Sequence, residues 1–126
     1  MKNLTRFSAF VALFLTLSAF TPNKSSVEGT WIGEFTAIDQ SIPIRVHFWQ
    51  ENDQMKGTIN LSDKGSKEFP LSWVVVDASS VHFELVQDCG TLVFDGVLKD
   101  GKISGELLCS NLRGEFQLAP SNLANL

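Results

Sequence analysis

The sequence predicts an all-β domain, an eight-stranded antiparallel up-and-down β-barrel, and three observations predict it. Between Gly29 and Pro120 apolar and polar residues alternate with period two, the periodicity of a half-buried strand rather than a helix. Short turn-forming pairs separate the alternating segments, which joins neighbours as antiparallel hairpins. The apolar positions of successive segments fall on one face when paired through those turns. An open sheet of this length leaves two edges and one wet apolar face, so closure on itself is the expected solution.

Taken in order, Thr30–Ile38 turns Trp31 and Phe35 inward and Glu34 outward. Ile42–Glu51 sets Ile44, Val46 and Phe48 against an outer face of Arg45 and His47. Gln54–Ser62 places Met55, Ile59 and Leu61 inside, with Lys56 and Asn60 outside. After the charged loop Ser62–Phe69, the segment Phe69–Asp77 is read with Phe69, Leu71, Trp73 and Val75 inside and Val74 and Val76 outside. Val81–Asp88 buries Val81, Phe83 and Leu85, leaving Glu84 and Val86 out. Thr91–Lys99 buries Leu92, Phe94 and Leu98 and exposes Val93, Asp95 and Val97. Lys102–Ser110 buries Ile103 and Leu107, and Arg113–Ala119 buries Phe116 and Leu118. The glycines at positions 33, 57, 96, 105 and 114 weigh against a helix in any of these stretches.

The turns test this facing, because a one-residue slip turns a whole strand over. Asp100-Gly101, a favoured type I′ composition, pairs Leu98 with Ile103 and Phe94 with Leu107. Asn52-Asp53 pairs Phe48 with Gly57 and Val46 with Ile59. Turns at Gln40-Ser41, Cys89-Gly90 and Asn111-Leu112 keep the same face. They set Ile32 opposite Trp49, His47 opposite Glu34, Val86 opposite Val93 and Cys109 opposite Gly114.

Met1 to Phe20 reads as a secretory signal: Lys2 and Arg6 precede an apolar core with no acidic residue, too short for a bilayer span of roughly 20 residues. Residues 21–27 form a linker, 28–120 the barrel domain and 121–126 a tail. The expected location is secreted or periplasmic, with no stable membrane anchor. The formal net charge is −4, and removing Lys2 and Arg6 with the leader leaves −6. Scattered acids of that sort serve solubility and disfavour nucleic acid as a partner. In an exported chain Cys89 and Cys109 favour one disulfide. The Asp100-Gly101 register opposes it, because it sets Cys109 opposite Leu92 and Cys89 three positions further along, where a bridge needs Cα atoms within about 7 Å. Both states of the pair stay open.

Gly29-Thr30-Trp31 resembles the Gly-x-Trp opening of the calycin barrels, the lipocalins, fatty-acid-binding proteins and avidins. The stretch Gly29 to Leu118 is similar to small calycin-like β-barrel modules that precede α/β-hydrolase domains in exported bacterial proteins. The similarity includes Trp31-Ile32-Gly33, the hairpin from Phe94-Asp95-Gly96 to Ile103-Ser104-Gly105, and the closing Gly114-Glu115-Phe116. It implies a lipocalin-like barrel and, by association, an accessory role beside a separate hydrolase. In lipocalins an Arg near the end of the last strand packs on the opening Trp; here Arg113 begins that strand.

No Gly-x-Ser-x-Gly elbow, His-Glu-x-x-His or phosphate loop occurs, so catalysis and a cofactor are not expected. His47 with Glu34, and His82 with Glu84, are expected as outer-face polar pairs, and no metal site is expected. Two surfaces remain. The inner aromatic set of Trp31, Phe35, Phe48, Trp73, Phe83, Phe94 and Phe116 is core filling, or alternatively the wall of a site for a small hydrophobic ligand. The outer residues Val74, Val76, Val86, Val93, Val97 and Leu108, with the pair Ile32 and Trp49, form an apolar contact face. The sequence therefore predicts an exported non-catalytic binding module. It contacts a protein partner or itself through its outer apolar face; the alternatives are a carrier of a small apolar molecule and an accessory subunit of a hydrolase.

Overall fold

The computed structural model describes residues 27–62, 65–88 and 90–121. The leader, most of the linker, Asp63, Lys64, Cys89 and the end of the tail lie outside the described residues, and with Cys89 the question of the disulfide. Nine strands follow in order: β1 Gly29–Ala37, β2 Gln40–Glu51, β3 Gln54–Leu61, β4 Glu68–Pro70, β5 Trp73–Asp77, β6 Ser80–Gln87, β7 Gly90–Lys99, β8 Lys102–Cys109 and β9 Leu112–Pro120. They form one curled antiparallel sheet in the order β4-β3-β2-β1-β9-β8-β7-β6-β5. The alternation of buried and exposed residues along each long strand gives the sheet one apolar face. Trp31, Val46, Phe48, Ile59, Phe83, Phe94, Ile103, Phe116 and Leu118 are buried there. Val27, just ahead of β1, is also buried, and its carbonyl accepts the Trp31 indole N–H at 2.8 Å. That bond satisfies the one polar atom the opening tryptophan brings inside.

The fourth predicted segment is two strands, and this changes which side chains face in. β4 pairs with β3, placing Phe69 beside Ile59, while β5 pairs with β6, placing Val74 beside Phe83 and Val76 beside Val81. Between them the chain bends at Ser72. The Ser72 N–H donates to the Glu84 carbonyl at 2.9 Å although Glu84 is already the partner of Trp73, so two residues of one strand oppose one of the other. Such a bulge shifts the alternation by one residue. Trp73 and Val75, predicted to face inward, are exposed; Val74 and Val76, predicted to face outward, pack against the core.

Two predicted registers hold, through Asn52-Asp53 and Asp100-Gly101, and both turns have positive φ at both central residues, as a type I′ turn requires. Three others slide by an even number of residues, which preserves the face and changes the partners. β1 and β2 turn at Ile38-Asp39, so Ile32 lies opposite Arg45 and not Trp49, and His47 opposite Thr30 and not Glu34. Gln87 pairs with Gly90, so Val86 faces Thr91 and Val93 faces Glu84. Cys109 pairs with Leu112, so Gly114 faces Leu107 instead of Cys109. Asn60, predicted outside, is buried where its amide donates to the Lys67 and Gly65 carbonyls at 3.0 and 3.4 Å and ties residues 65–67 to the sheet.

Ile38 carries φ +48° at an exposed turn tip, a conformation that crowds a β-branched side chain. Ile38→Asn relieves that crowding and is expected to stabilise the fold by about 1 kcal/mol. A thermal melt is expected to rise by roughly 4–8 °C. An unchanged or lower midpoint would mean that the isoleucine makes a contact worth the strain.

Candidate functional site

The bulge that turns Val74 and Val76 into the core turns a tryptophan out of it. Trp73 is 57% exposed, on the outer face of β5. From there one cross-strand row crosses the outer face: Trp73 lies opposite Glu84, Glu84 opposite Val93, Val93 opposite Leu108, and Leu108 opposite Arg113. Val75 stands two residues along β5 from Trp73, and Val86 two along β6 from Glu84; both are exposed. The predicted outer apolar stripe on this part of the sheet is therefore present with altered membership. Val86, Val93, Val97 and Leu108 face out as predicted, and Trp73 and Val75 take the places of Val74 and Val76.

Two members of the predicted contact face lie elsewhere. Ile32 sits on the outer side of β1 between Arg45 and Ala119, in a shallow groove of about 660 Å³ that also reaches Lys102. Trp49 stands opposite Lys56 on β3, its ring 5.4 Å from that of His47 and its N–H donating to Glu51 at 3.2 Å. The two are not cross-strand partners.

Polar groups frame the row. His82 Nε2 lies 2.7 Å from Glu84 Oε2, and its Nδ1 lies 3.4 Å from Asp95 Oδ1. The imidazole thus bridges a carboxylate on its own strand and one on β7, and both ring nitrogens are engaged. Partial burial, the largest single influence, pulls its pKa down, but the hydrogen bonds and charges of Glu84 and Asp95 together outweigh it and hold the pKa above 6.5. The sign follows directly: a raised folded-state pKa contributes stability that is fully present below pH 6.5 and is lost as pH rises through the folded value. His82→Gln is expected to lower stability at pH 5.5 by about 0.2–1 kcal/mol, the scale of partly exposed ion pairs, and the gap is expected to close toward pH 9. Urea titrations of both proteins across that range check it; a gap that widens with pH would reverse the assignment.

Beyond Asp95 the outer face becomes acidic. Asp95 lies opposite Glu106 and Glu106 opposite Glu115, with Arg113 reaching Glu106 at 3.7 Å. On the far side Arg45 pairs with Glu68 at 3.5 Å, and Glu34 accepts from the Ser41 hydroxyl at 2.8 Å. Among the described residues no set of His, Cys, Asp and Glu side chains converges as a metal site.

The inner face is crowded with rings. Phe83 and Phe94 stack with centroids 4.6 Å apart and planes 9° apart, and Phe116 meets both edge-on at 5.8 and 5.3 Å. Phe48 packs against Phe83 at 5.4 Å and Phe35 against Phe94 at 6.2 Å, again edge to face. Six of the seven predicted inner aromatics are inside; Trp73 is the exception.

A second groove, of about 630 Å³, runs along the sheet's unjoined edges, between the first half of β3 and β5. Met55, Leu71, Val74 and Val76 line it from the core side, and Lys56 and Trp73 from the outer side. The chain matches no protein family, no curated relative and no solved structure.

Proposed function

We propose that this chain is an exported, non-catalytic binding module, a calycin-like barrel that engages a protein partner through the outer face of β5 to β8. The observation that carries the reading is Trp73. A bulge turns this large aromatic outward beside Val75, at the head of a cross-strand row that holds Val93 and Leu108 between Glu84 and Arg113, and the same bulge supplies Val74 and Val76 to the core in its place. Tryptophan is among the residues that most often anchor the centre of an interface. Closure into a barrel is supported by β4 lying on one sheet edge and β5 on the other, joined through Leu71 and Ser72. It is supported too by ring contacts from β2 to β6 and from β1 to β7, which bring distant strands face to face. The Gly29-Thr30-Trp31 opening, with its tryptophan buried at the start of β1, supports the calycin-like reading. Carriage of an apolar guest draws no support from an interior whose rings already touch one another.

The test compares the mature protein with Trp73→Ala and Val93→Lys. Both positions are on the outer face, so each variant is expected to keep its stability within about 0.5 kcal/mol. Each is expected to lose the partner captured by the unaltered protein from the exported fraction of its host, or its self-association by sedimentation. Retention of the same partner by both variants would overturn the outer-face reading. Unfolding of Val93→Lys would show that the valine is part of the core.

A further inference from the structure

The turn end of the β7–β8 hairpin sorts its charges by sign in a way the single chain leaves uncompensated. On the outer face β7 presents Asp95, Val97 and Lys99, and β8 presents Lys102, Ser104 and Glu106, all exposed. The register sets Lys99 opposite Lys102, Val97 opposite Ser104 and Asp95 opposite Glu106. Like charges directly opposite one another on a sheet are destabilising, so each end of this patch opposes itself. A surface that serves solubility alone intersperses its signs. The acidic end has some relief from His82, 3.4 Å from Asp95, and from Arg113, 3.7 Å from Glu106. The basic end has none: among the described residues neither Lys99 nor Lys102 forms an ion pair. Val97 stands between the two ends and is 50% exposed.

We infer that a second copy of this chain covers the patch, face to face across a two-fold axis running along the Val97–Ser104 pair. This contact lies beside the row that Trp73 heads and is additional to the proposed function. Such an axis lays each strand over its own copy with the direction reversed, an isologous contact between aligned sheets. Asp95 and Lys99 flank Val97 two residues away on either side, and Lys102 and Glu106 flank Ser104 in the same way. Turning the copy over therefore places each Asp95 against the second copy's Lys99, and each Glu106 against the second copy's Lys102. Stacked sheets lie about 10 Å apart, a gap that a lysine and a carboxylate span together. The surface has room for the incoming ammonium group. Beside Glu106 it dips into a hollow of about 400 Å³ whose walls include Glu34, Glu106 and Glu115. An axis along the strands instead would set Asp95 on Glu106 and Lys99 on Lys102. Charge thus selects the first arrangement.

Sedimentation equilibrium of the mature protein at physiological salt tests this. The unaltered protein is expected to dimerise reversibly with a dissociation constant between about 10 μM and 1 mM, the weak range of small interfaces. The charge-swapped variants Lys99→Glu/Lys102→Glu and Asp95→Lys/Glu106→Lys are each expected to dimerise at least about tenfold more weakly. Mixed in equal amounts, the two are expected to associate with each other, because each then meets its complement at both ends. Both remain net acidic, so their association is not an attraction of opposite net charges. Val97→Asp sets two carboxylates against each other at the axis and is expected to weaken dimerisation as much, with its urea midpoint little changed. A monomer up to about 1 mM overturns the inference and leaves the outer-face reading to capture of another protein. Dimerisation unchanged in either swapped variant, or folded variants that fail to associate when mixed, overturns it as well. If a swapped variant does not fold, Val97→Asp decides alone: dimerisation that it does not weaken overturns the contact. Self-association lost in Trp73→Ala and kept in Val97→Asp belongs to the Trp73 row, and overturns the hairpin contact while supporting the outer-face reading.

Discussion

Phe94→Ala is expected to lower the free energy of unfolding by about 3–5 kcal/mol, a large part of the 5–15 kcal/mol typical of a whole domain. Phe94 is fully buried and is the ring against which the others are arranged: stacked on Phe83 from β6, and edge-on to Phe116 from β9 and Phe35 from β1. Its removal forfeits the transfer of a whole benzyl group and leaves a hole whose walls are rings on three other strands. Those walls are held by ladders and are unable to collapse far, so the cavity contribution is near its maximum. Urea titration is expected to give a lower midpoint with an unchanged slope, the signature of lost stability within the same fold. The variant also has a second readout. A dry apolar hole of that kind takes up a small aromatic such as benzene, as engineered core cavities do. Added benzene is therefore expected to restore part of the lost midpoint in Phe94→Ala and to leave the unaltered protein unmoved. Stabilisation of the unaltered protein to the same extent would mean that the interior already holds a void, and would revive the carrier function.

How far the sequence discloses all this depends on the kind of information asked for. The inner positions of β1, β2, β3 and β6 to β9 are legible because period-two burial leaves a direct trace in residue type, and even-numbered slides of register do not disturb it. The partners are less legible. Ile38-Asp39 is an unfavourable composition for a turn with two positive φ values, so Gln40-Ser41, more turn-like in residue type, is the natural expectation. Tertiary pairing of β1 with both β2 and β9 overrides that preference. Least legible is the bulge. Ser72-Trp73-Val74-Val75-Val76 continues an apolar run in which either alternation buries large side chains. Only the transfer of the chain from β3 to β6 selects between them. The candidate site was hidden for that reason: its leading residue, Trp73, reads by sequence as core. A weak signal was present, since three consecutive valines fit two facings equally well and so mark the place where the assignment is least determined. The groove between β3 and β5 is illegible for the same reason, because its lining by Trp73, Val74 and Val76 depends on the bulge.

Gly33→Ala is expected to cost stability near the top of the ~1–3 kcal/mol typical of overpacking. Gly33 sits on β1 between Ile44 of β2 and Leu118 of β9. A Cβ built there runs into the carbonyl of Gln117, with the Leu118 Cα 2.9 Å away. Every one of those atoms is backbone, held in the ladder that β9 makes with β1 on one side and β8 on the other. A flexible side chain would swing clear, but a paired strand does not, so the methyl group has to push β1 and β9 apart. Separating them strains the pairings of Trp31 through Thr36, where the two halves of the sheet are joined. Gly101→Ala provides the contrast. At Gly101 an added Cβ meets no atom within 4 Å, and the difficulty is a φ of +78°. Its cost is conformational and expected at about 1 kcal/mol, and Gly101→Asn is expected to recover most of it, because asparagine tolerates the left-handed region. Gly33→Asn is expected to be worse than Gly33→Ala, since the penalty there is volume. Urea midpoints for the four variants separate the two causes. A Gly33→Ala protein within about 0.5 kcal/mol of the unaltered one would mean that β1 and β9 do not approach as closely as the structure places them, and would loosen the joint on which the curl of the whole sheet depends.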